Sequence, residues 1–280
     1  MIKRTSAERA VVDRFSKRYE LGQSEVMRSI ERSVCGCDYG ATSWTTVAEA
    51  RVITDILALR PGTRLLDVGS GSGWPGLYLA GEMGCDVTLT DLPITGLRIA
   101  LKRARADSIS GICWGCVADA AALPFRHGVF DAVTHSDVLC CLPQKLDVLK
   151  ACRRVVRDSG KMVFSVILIA PDMPADAYEQ AQAGGPPFIA SDTPYPELLR
   201  QAGWQIADHR DLTADYQTTV TRRLSQLERH ADEIARLFGD ADAANERARR
   251  RATLDALDQR LVRRELFAVM PAQAPWTDGR

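Results

Sequence analysis

The stretch "LLDVGSGSGWPGLYLA", residues 65–80, constrains this chain more than any other. An apolar run breaks into glycines at Gly69, Gly71 and Gly73, then resumes as an apolar segment. That order reads as a strand, a tight loop and a helix, with Pro75 tolerated in the first helical turn. The glycines let backbone N–H groups approach a ligand closely at the helix entrance. Together with Gly76 they also read Gly71-x-Gly73-x-x-Gly76, the spacing of a dinucleotide-binding turn. The loop therefore faces either a pyrophosphate or a ligand of another charge.

Charge separates the two. Asp67 ends the strand two residues before the first glycine, and the loop, including Ser70, contains no lysine or arginine. A carboxylate there repels a pyrophosphate by several kcal/mol at an effective dielectric of ~20. An ammonium or sulfonium group would be welcome. Asp91, beside Leu92, ends the next strand, where a carboxylate can accept both hydroxyls of a ribose; NAD would fit that feature equally. Asp119, beside Ala120, follows the third strand and is placed to accept a hydrogen bond from an adenine amino group. Any one acid alone reads as a helix cap or a solvated loop residue. Three ending successive strands point to a nucleoside with a cationic appendage.

The rest of the middle region keeps that rhythm. Strands are expected at Arg64–Val68, Asp86–Thr90, Ile112–Val117, Val129–Thr134 and residues 161–169, and helices at Gly73–Gly81 and Thr95–Arg105. "LPQKLDVLKACRRVVRDSG" reads as an amphipathic helix closed by Gly160. Alternation of this kind gives an α/β fold with a parallel sheet and helices on both faces. Residues 1–60 read as a helical cap and 61–280 as the main domain. The latter includes a loop-rich insertion at 171–187, a helix at 193–204, a strand at 205–213, a polar helical insertion at about 214–259 and a last strand within 263–271.

Bulk properties narrow the partners. Lysine plus arginine equals aspartate plus glutamate at 36 each, so no net field draws the chain to nucleic acid or an anionic membrane. The N-terminus lacks the apolar core of a signal peptide, and no stretch approaches the ~20 apolar residues of a membrane span. A cytoplasmic protein is expected. The eight cysteines, including Cys113-Trp-Gly-Cys116 and Cys35-Gly-Cys37, are expected as reduced, buried thiols. No metal is expected. Arg247, Arg249, Arg250 and Arg251 are interleaved with acids, as on a solvated helix face.

"LLDVGSGSG", "DVTLTD", "ADAAALPF" and "FDAVTHSDVLCCLP" resemble, in order, the motifs of the class I S-adenosylmethionine-dependent methyltransferases. The resemblance covers roughly residues 60 to 170. It implies a Rossmann-like, seven-stranded, mostly parallel sheet whose last strand, about Glu265–Met270, is antiparallel. It also implies methyl transfer from S-adenosylmethionine, leaving S-adenosylhomocysteine. Beyond the core the chain resembles the small-molecule group, which includes ubiquinone and menaquinone C-methylases and glycine-derivative N-methylases. "CDYGATSWTT" is similar to that group's cofactor-covering element, which makes Tyr39, Trp44 and Thr45 contacts to the methionine end.

One segment departs from the group. Where it often has Gln-Asp-Ala-x-x-His, this chain has Ser136-Asp137-Val138-Leu139-Cys140-Cys141. Ser136 and Asp137 are expected at the strand end beneath the sulfonium. His135 is the one candidate base, and it also reads as a structural histidine. His209 and Asp211 are weaker candidates for the acceptor pocket. The expected partner is a small-molecule acceptor of oxygen, nitrogen or carbon type, with no nucleic acid or membrane and with a homodimer allowed for. The alternatives are a methyltransferase acting on RNA, DNA or protein, and a non-catalytic cofactor-binding regulator. Residues 1–48 are expected to act as a lid.

Overall fold

A computed structural model of the chain describes residues 5–171, 173 and 175–272. The cap and main domain expected from the sequence extend to residues 1–4 and 273–280, which lie outside the described residues. Three helices come first: α1 (Ser6–Gly22), α2 (Glu25–Cys35) and α3 (Val47–Leu57). The alternating region follows as β1 (Arg64–Val68), α4 (Gly76–Met83), β2 (Asp86–Asp91), α5 (Ile94–Ala106), β3 (Cys113–Val117), β4 (Phe130–Ser136), α6 (Lys145–Val155) and β5 (Val156–Ile169). The remainder is α7 (Ala175–Gly184), α8 (Tyr195–Gln201), β6 (Trp204–Asp211), α9 (Thr213–Arg229), α10 (Ala231–Phe238), α11 (Asp240–Asp258) and β7 (Val262–Pro271).

The strands form one sheet in the order β3-β2-β1-β4-β5-β7-β6. β1 through β5 pair in parallel, and β7 slots antiparallel between β5 and β6. This is the Rossmann-like α/β sheet implied by the sequence. Its strand order reverses between β1 and β4, and the crevice at the carboxyl ends of such a pair is where ligands bind in open α/β sheets. β1 is buried almost throughout because a central parallel strand is covered on both faces.

Local chemistry sets the element ends. Thr5 with Glu8, and Thr46 with Glu49, form reciprocal capping boxes that start α1 and α3. Gly36 closes α2 in a left-handed conformation, φ 81°. The N-terminal helices contribute to the core: Ile30 and Ile53 pack in one apolar cluster with Leu65 and Leu89 of the sheet, Leu79 of α4, and Leu227 and Ile234 of α9 and α10. On the sheet's other side Val133, Leu149 and Phe164 centre a second cluster.

Several expectations change. The amphipathic helix stops at Val155, not Gly160, because Val156 already pairs with Phe130 and starts β5. Gly160 instead lies where β5 passes the backbone of β4; a Cβ there would sit 2.7 Å from the Asp131 carbonyl oxygen. Part of the insertion read as loop is helical, as α7; residues 172 and 174 of it lie outside the described residues. All eight cysteines are free. Five are buried, but Cys113 and Cys116 are only half-buried on β3, whose outer edge has no partner strand among the described residues, and Cys141 borders a cavity. Among the described residues no helix is long and apolar enough to cross a membrane.

Candidate functional site

The loop after β1 forms the floor of the site. Gly69 and Gly71 adopt left-handed backbones, φ 68° and 52°. A Cβ on Gly71 would collide with the Tyr19 ring at 2.8 Å, so α1 lies directly over the loop. Asp91, at the end of β2, gathers three donors: the backbone N–H of Gly71 at 2.7 Å, that of Leu92 at 2.7 Å, and the Tyr19 hydroxyl at 3.1 Å. Burial pushes its carboxyl up to about 6 against the opposing pull of these hydrogen bonds. Asp119 accepts the Ala121 N–H at 3.0 Å and turns the chain after β3.

Two adjoining cavities open here, with about 880 and 1460 Å³ of empty space, mouths included. The smaller is lined by Asp91, Leu92, Asp119 and Ala120, with α1 above. The larger runs from Ser70, Gly71 and Trp44 to α9 and α11. Both share Gly69, Ser136, Asp137, Cys141, Tyr19 and Thr42, so these residues stand at the junction. The hydroxyls of Ser70, Ser72 and Ser136 are buried at this floor with no partner among the described residues. Buried polar groups are normally hydrogen-bonded, so three orphans around one cavity mark where a polar ligand belongs.

Asp137 follows β4 with a left-handed backbone, φ 57°, which aspartate tolerates better than most residues. The turn aims its carboxylate at the Trp44 N–H (3.3 Å), the Ser165 hydroxyl (3.1 Å) and Nε of Arg264 (2.9 Å). Arg264, on β7, is fully buried and also donates to Glu49 (2.9 Å), Thr45 and Ser165. One guanidinium thus ties β4, β5 and β7 to the loop and helix of the N-terminal cap. Carboxylates on two sides hold it charged despite burial.

The candidate residues divide. Asp91, Leu92, Asp119, Ala120, Gly69, Ser70, Gly71, Ser136, Asp137 and Trp44 line the cavities. Asp67, Gly73, Thr45, Tyr39, His135, His209 and Asp211 do not. Asp67 is buried under α4, accepting the Gly76 N–H at 3.1 Å, and burial lifts it to about 8. It is protonated at neutral pH and offers no charge to a sulfonium, contrary to the sequence reading. The Thr45 hydroxyl is taken up by Arg264. The Tyr39 ring lies between Trp74 and the Arg103 guanidinium, 3.9 Å from its centre. His135 alternates with cavity-facing Ser136 and so points into the opposite layer, stacked 4.6 Å from Phe164. Both its ring nitrogens lack partners, and burial pulls it down to about 3. A group with no path to the cavity cannot serve as the base. His209 is on the outer strand, bonded to Glu265, and Asp211 caps Thr213.

Relatives place this geometry. The family described as "Methyltransferase domain" matches residues 66–164. The demethylmenaquinone methyltransferase of Beutenbergia cavernae is 31% identical over 187 residues, 58% of this chain and 74% of the relative. The chain belongs to the class I S-adenosylmethionine-dependent methyltransferases. It is also 28% identical over 188 residues, 63% of this chain and 66% of the relative, to the 27-O-demethylrifamycin SV methyltransferase of Amycolatopsis mediterranei. The chain spans between about two fifths and two thirds of the length of several curated relatives it matches. Among solved structures the [4+2]-cyclase SpnF shares the fold, with a TM-score of 0.76 at 21% identity, covering 98% of this chain and 99% of that one.

The site suits the family's cofactor. The orphaned serine hydroxyls and the glycine floor suit the polar methionine end, and Asp91 and Asp119 suit a nucleoside. Among the described residues no cluster of histidine, cysteine or acids could hold a metal. Three features of the site escaped sequence reasoning: Tyr19, Arg264 and the arginines of the large cavity. Arg264 had one signal, since strand alternation around exposed Arg263 places it on an inward face. The others come from helices far apart in sequence: Arg249 and Arg250 stand out as part of a cluster but read as a solvated face, while Tyr19, Arg14 and Arg223 carry no signal.

Proposed function

We propose that this protein transfers the methyl group of S-adenosylmethionine to a small-molecule acceptor, releasing S-adenosylhomocysteine, in the cytoplasm. The observation that carries this reading is the junction of a cavity lined by Asp91 and Asp119 with a larger one at Gly69, Ser136, Asp137 and Cys141. The cofactor supplies an electrophilic methyl on a sulfonium, so an in-line displacement chiefly needs alignment. Near-attack positioning alone can contribute ~7–11 kcal/mol.

In this assignment Asp91 accepts the ribose hydroxyls, replacing the Gly71 N–H and Tyr19 hydroxyl that occupy it now. Asp119 and Ala120 border the adenine, while Ser70 and Gly71 bind the methionine end. Asp137, fixed by Arg264, holds Trp44 across the junction and keeps the reacting centre covered. Residues 1–60 act as the cap on residues 61–280, excluding water as the site closes. Demethylmenaquinone and 27-O-demethylrifamycin SV, named for two relatives, support a small organic acceptor.

Titration calorimetry tests the reading. S-adenosylhomocysteine and S-adenosylmethionine are expected to bind at micromolar affinity and NAD not at all. Tight NAD binding without S-adenosylhomocysteine binding would overturn it.

A further inference from the structure

The far wall of the large cavity is unusually basic. α1 contributes Arg14 and Arg18, α9 contributes Arg223, and α11 contributes Arg249 and Arg250. Sequence interleaving suggested that the α11 arginines are solvated. Instead Arg250 is 7% exposed, with its guanidinium 5.0 Å from the Trp44 ring centre.

Direct ion pairs to this wall are few among the described residues. Glu246 pairs with Arg18, with Arg250 at 3.1 Å and with Arg249 at 3.8 Å, so one carboxylate is shared three ways. Among the described residues no carboxylate lies within ion-pair distance of Arg14 or Arg223. Among the described residues the only other acid lining the cavity is Asp137, and Arg264 holds it from behind the wall. The Nε–H groups of Arg14 and Arg250 are buried without an acceptor. Half-buried cations in excess of their carboxylates are costly, and a wall that presents five guanidiniums to two lining carboxylates, with Glu31 acting on Arg223 from outside the cavity, favours an anion.

Resting on the methyltransferase reading, we propose that the acceptor carries an oxyanion group, phosphate or carboxylate, which docks between Arg14, Arg223 and Arg250. The planar fork of arginine matches such groups in bidentate fashion. Because the three side chains come from α1, α9 and α11, the bound anion also draws the cap onto the insertion helices. The rest of the acceptor then extends toward Ser136 and Asp137.

The test titrates inorganic pyrophosphate, inorganic phosphate and malonate into the full chain, with and without saturating S-adenosylhomocysteine, by calorimetry at low salt. At least one probe should bind saturably, and Arg14→Gln or Arg223→Gln should each weaken that binding about tenfold or more. Preference for the phosphates identifies a phosphorylated acceptor, and preference for malonate a carboxylated one. Both substitutions remove an unpaired cation, so each variant should melt at or above the wild-type temperature without anion. A variant that fails to fold would contradict the view of that arginine as unpaired and would count against the proposal. No saturable binding by any probe, or binding indifferent to both substitutions, would overturn it. The cofactor titration stands apart. If S-adenosylhomocysteine fails to bind while the anions bind, the methyltransferase reading falls and the anion site remains.

Discussion

The two walls of the site are built from different material. The nucleoside wall is backbone and short acids at consecutive strand ends, where Gly71, Leu92 and Ala121 present N–H groups to Asp91 and Asp119. The acceptor wall is long side chains from α1, α9 and α11, helices separated by some two hundred residues and joined through Glu246. A strand–loop–helix unit fixes its own geometry locally. A wall of arginines exists only once distant helices have packed. The first wall suits a ligand common to a family, and the second can be rebuilt for each acceptor without disturbing the sheet.

The sharpest way to break this contrast is at the tie between the walls. Arg264→Met leaves Asp137 and Glu49 buried without their cation, and breaking a buried pair of this kind costs about 3–5 kcal/mol. Denaturant unfolding should show that loss. A change below about 1 kcal/mol would mean that the cap and sheet are held together by apolar packing alone.

Next comes the nucleoside wall. Asp91→Ala should weaken S-adenosylhomocysteine binding by about 1–3 kcal/mol, the range for a polar group left without its partner. It also releases the Gly71 N–H and the Tyr19 hydroxyl that Asp91 holds in the free protein. Unchanged affinity in calorimetry would remove Asp91 from the ribose.

The contrast also explains what was legible in the sequence. Glycines, strand-end acids and β-branched runs are local signals, and they marked the alternating strands and helices of the sheet, while its antiparallel last strand followed from the family resemblance; Asp91 and Asp119 do line one cavity. Asp67 shows the limit of that reasoning. Its position at the strand end was right, but whether a carboxyl faces a ligand or supports α4 depends on rotation about a single bond. Alternation places His135 and Ser136 on opposite faces of β4, but sequence does not say which face meets the cavity. For Arg250 the acids nearby suggested solvent, whereas Trp44, far away in the chain, lies against its buried guanidinium.

A third measurement sharpens the view of Asp67 as a support for the floor. Its folded value of about 8 lies above the ordinary 3.8, so the folded state holds a proton that the unfolded state releases. Stability from this group is therefore complete at low pH and declines as pH rises toward and through 8. Asp91 at about 6 and Glu246 at about 2 are ionised in both states by about pH 7.5. The thiols of Cys35, Cys85 and Cys152, which burial raises above the ordinary 9, add a decline of the same sign to wild type and variant alike, so Asp67's share of the slope is read as the difference between the two proteins. Asp67→Asn, which keeps an acceptor for the Gly76 N–H, should flatten it. Equal slopes in the two proteins, measured by urea unfolding at about pH 7.5 and 8.5, would place an ionised Asp67 at the floor.

The smallest expected effect belongs to His135, and it discriminates most cleanly between the sequence reading and the structure. A general base contributes about 10²–10⁴ to rate and must reach the proton it removes. His135 instead lies against Phe164, with two nitrogens that find no partner and a folded value of about 3. His135→Phe removes an unsatisfied polar ring and keeps an aromatic stack, so stability near pH 7 should shift by no more than about 1 kcal/mol in either direction. Below that pH the variant should gain on the wild type. The unfolded wild-type histidine takes up a proton near its ordinary 6.5, which the folded one does not, so wild-type stability falls as the solution is acidified. Methyl transfer to whichever acceptor is found should persist within a few fold. A loss of a hundredfold or more, with S-adenosylhomocysteine affinity intact, would return His135 to the reacting centre and require β4 to turn its other face to the cavity.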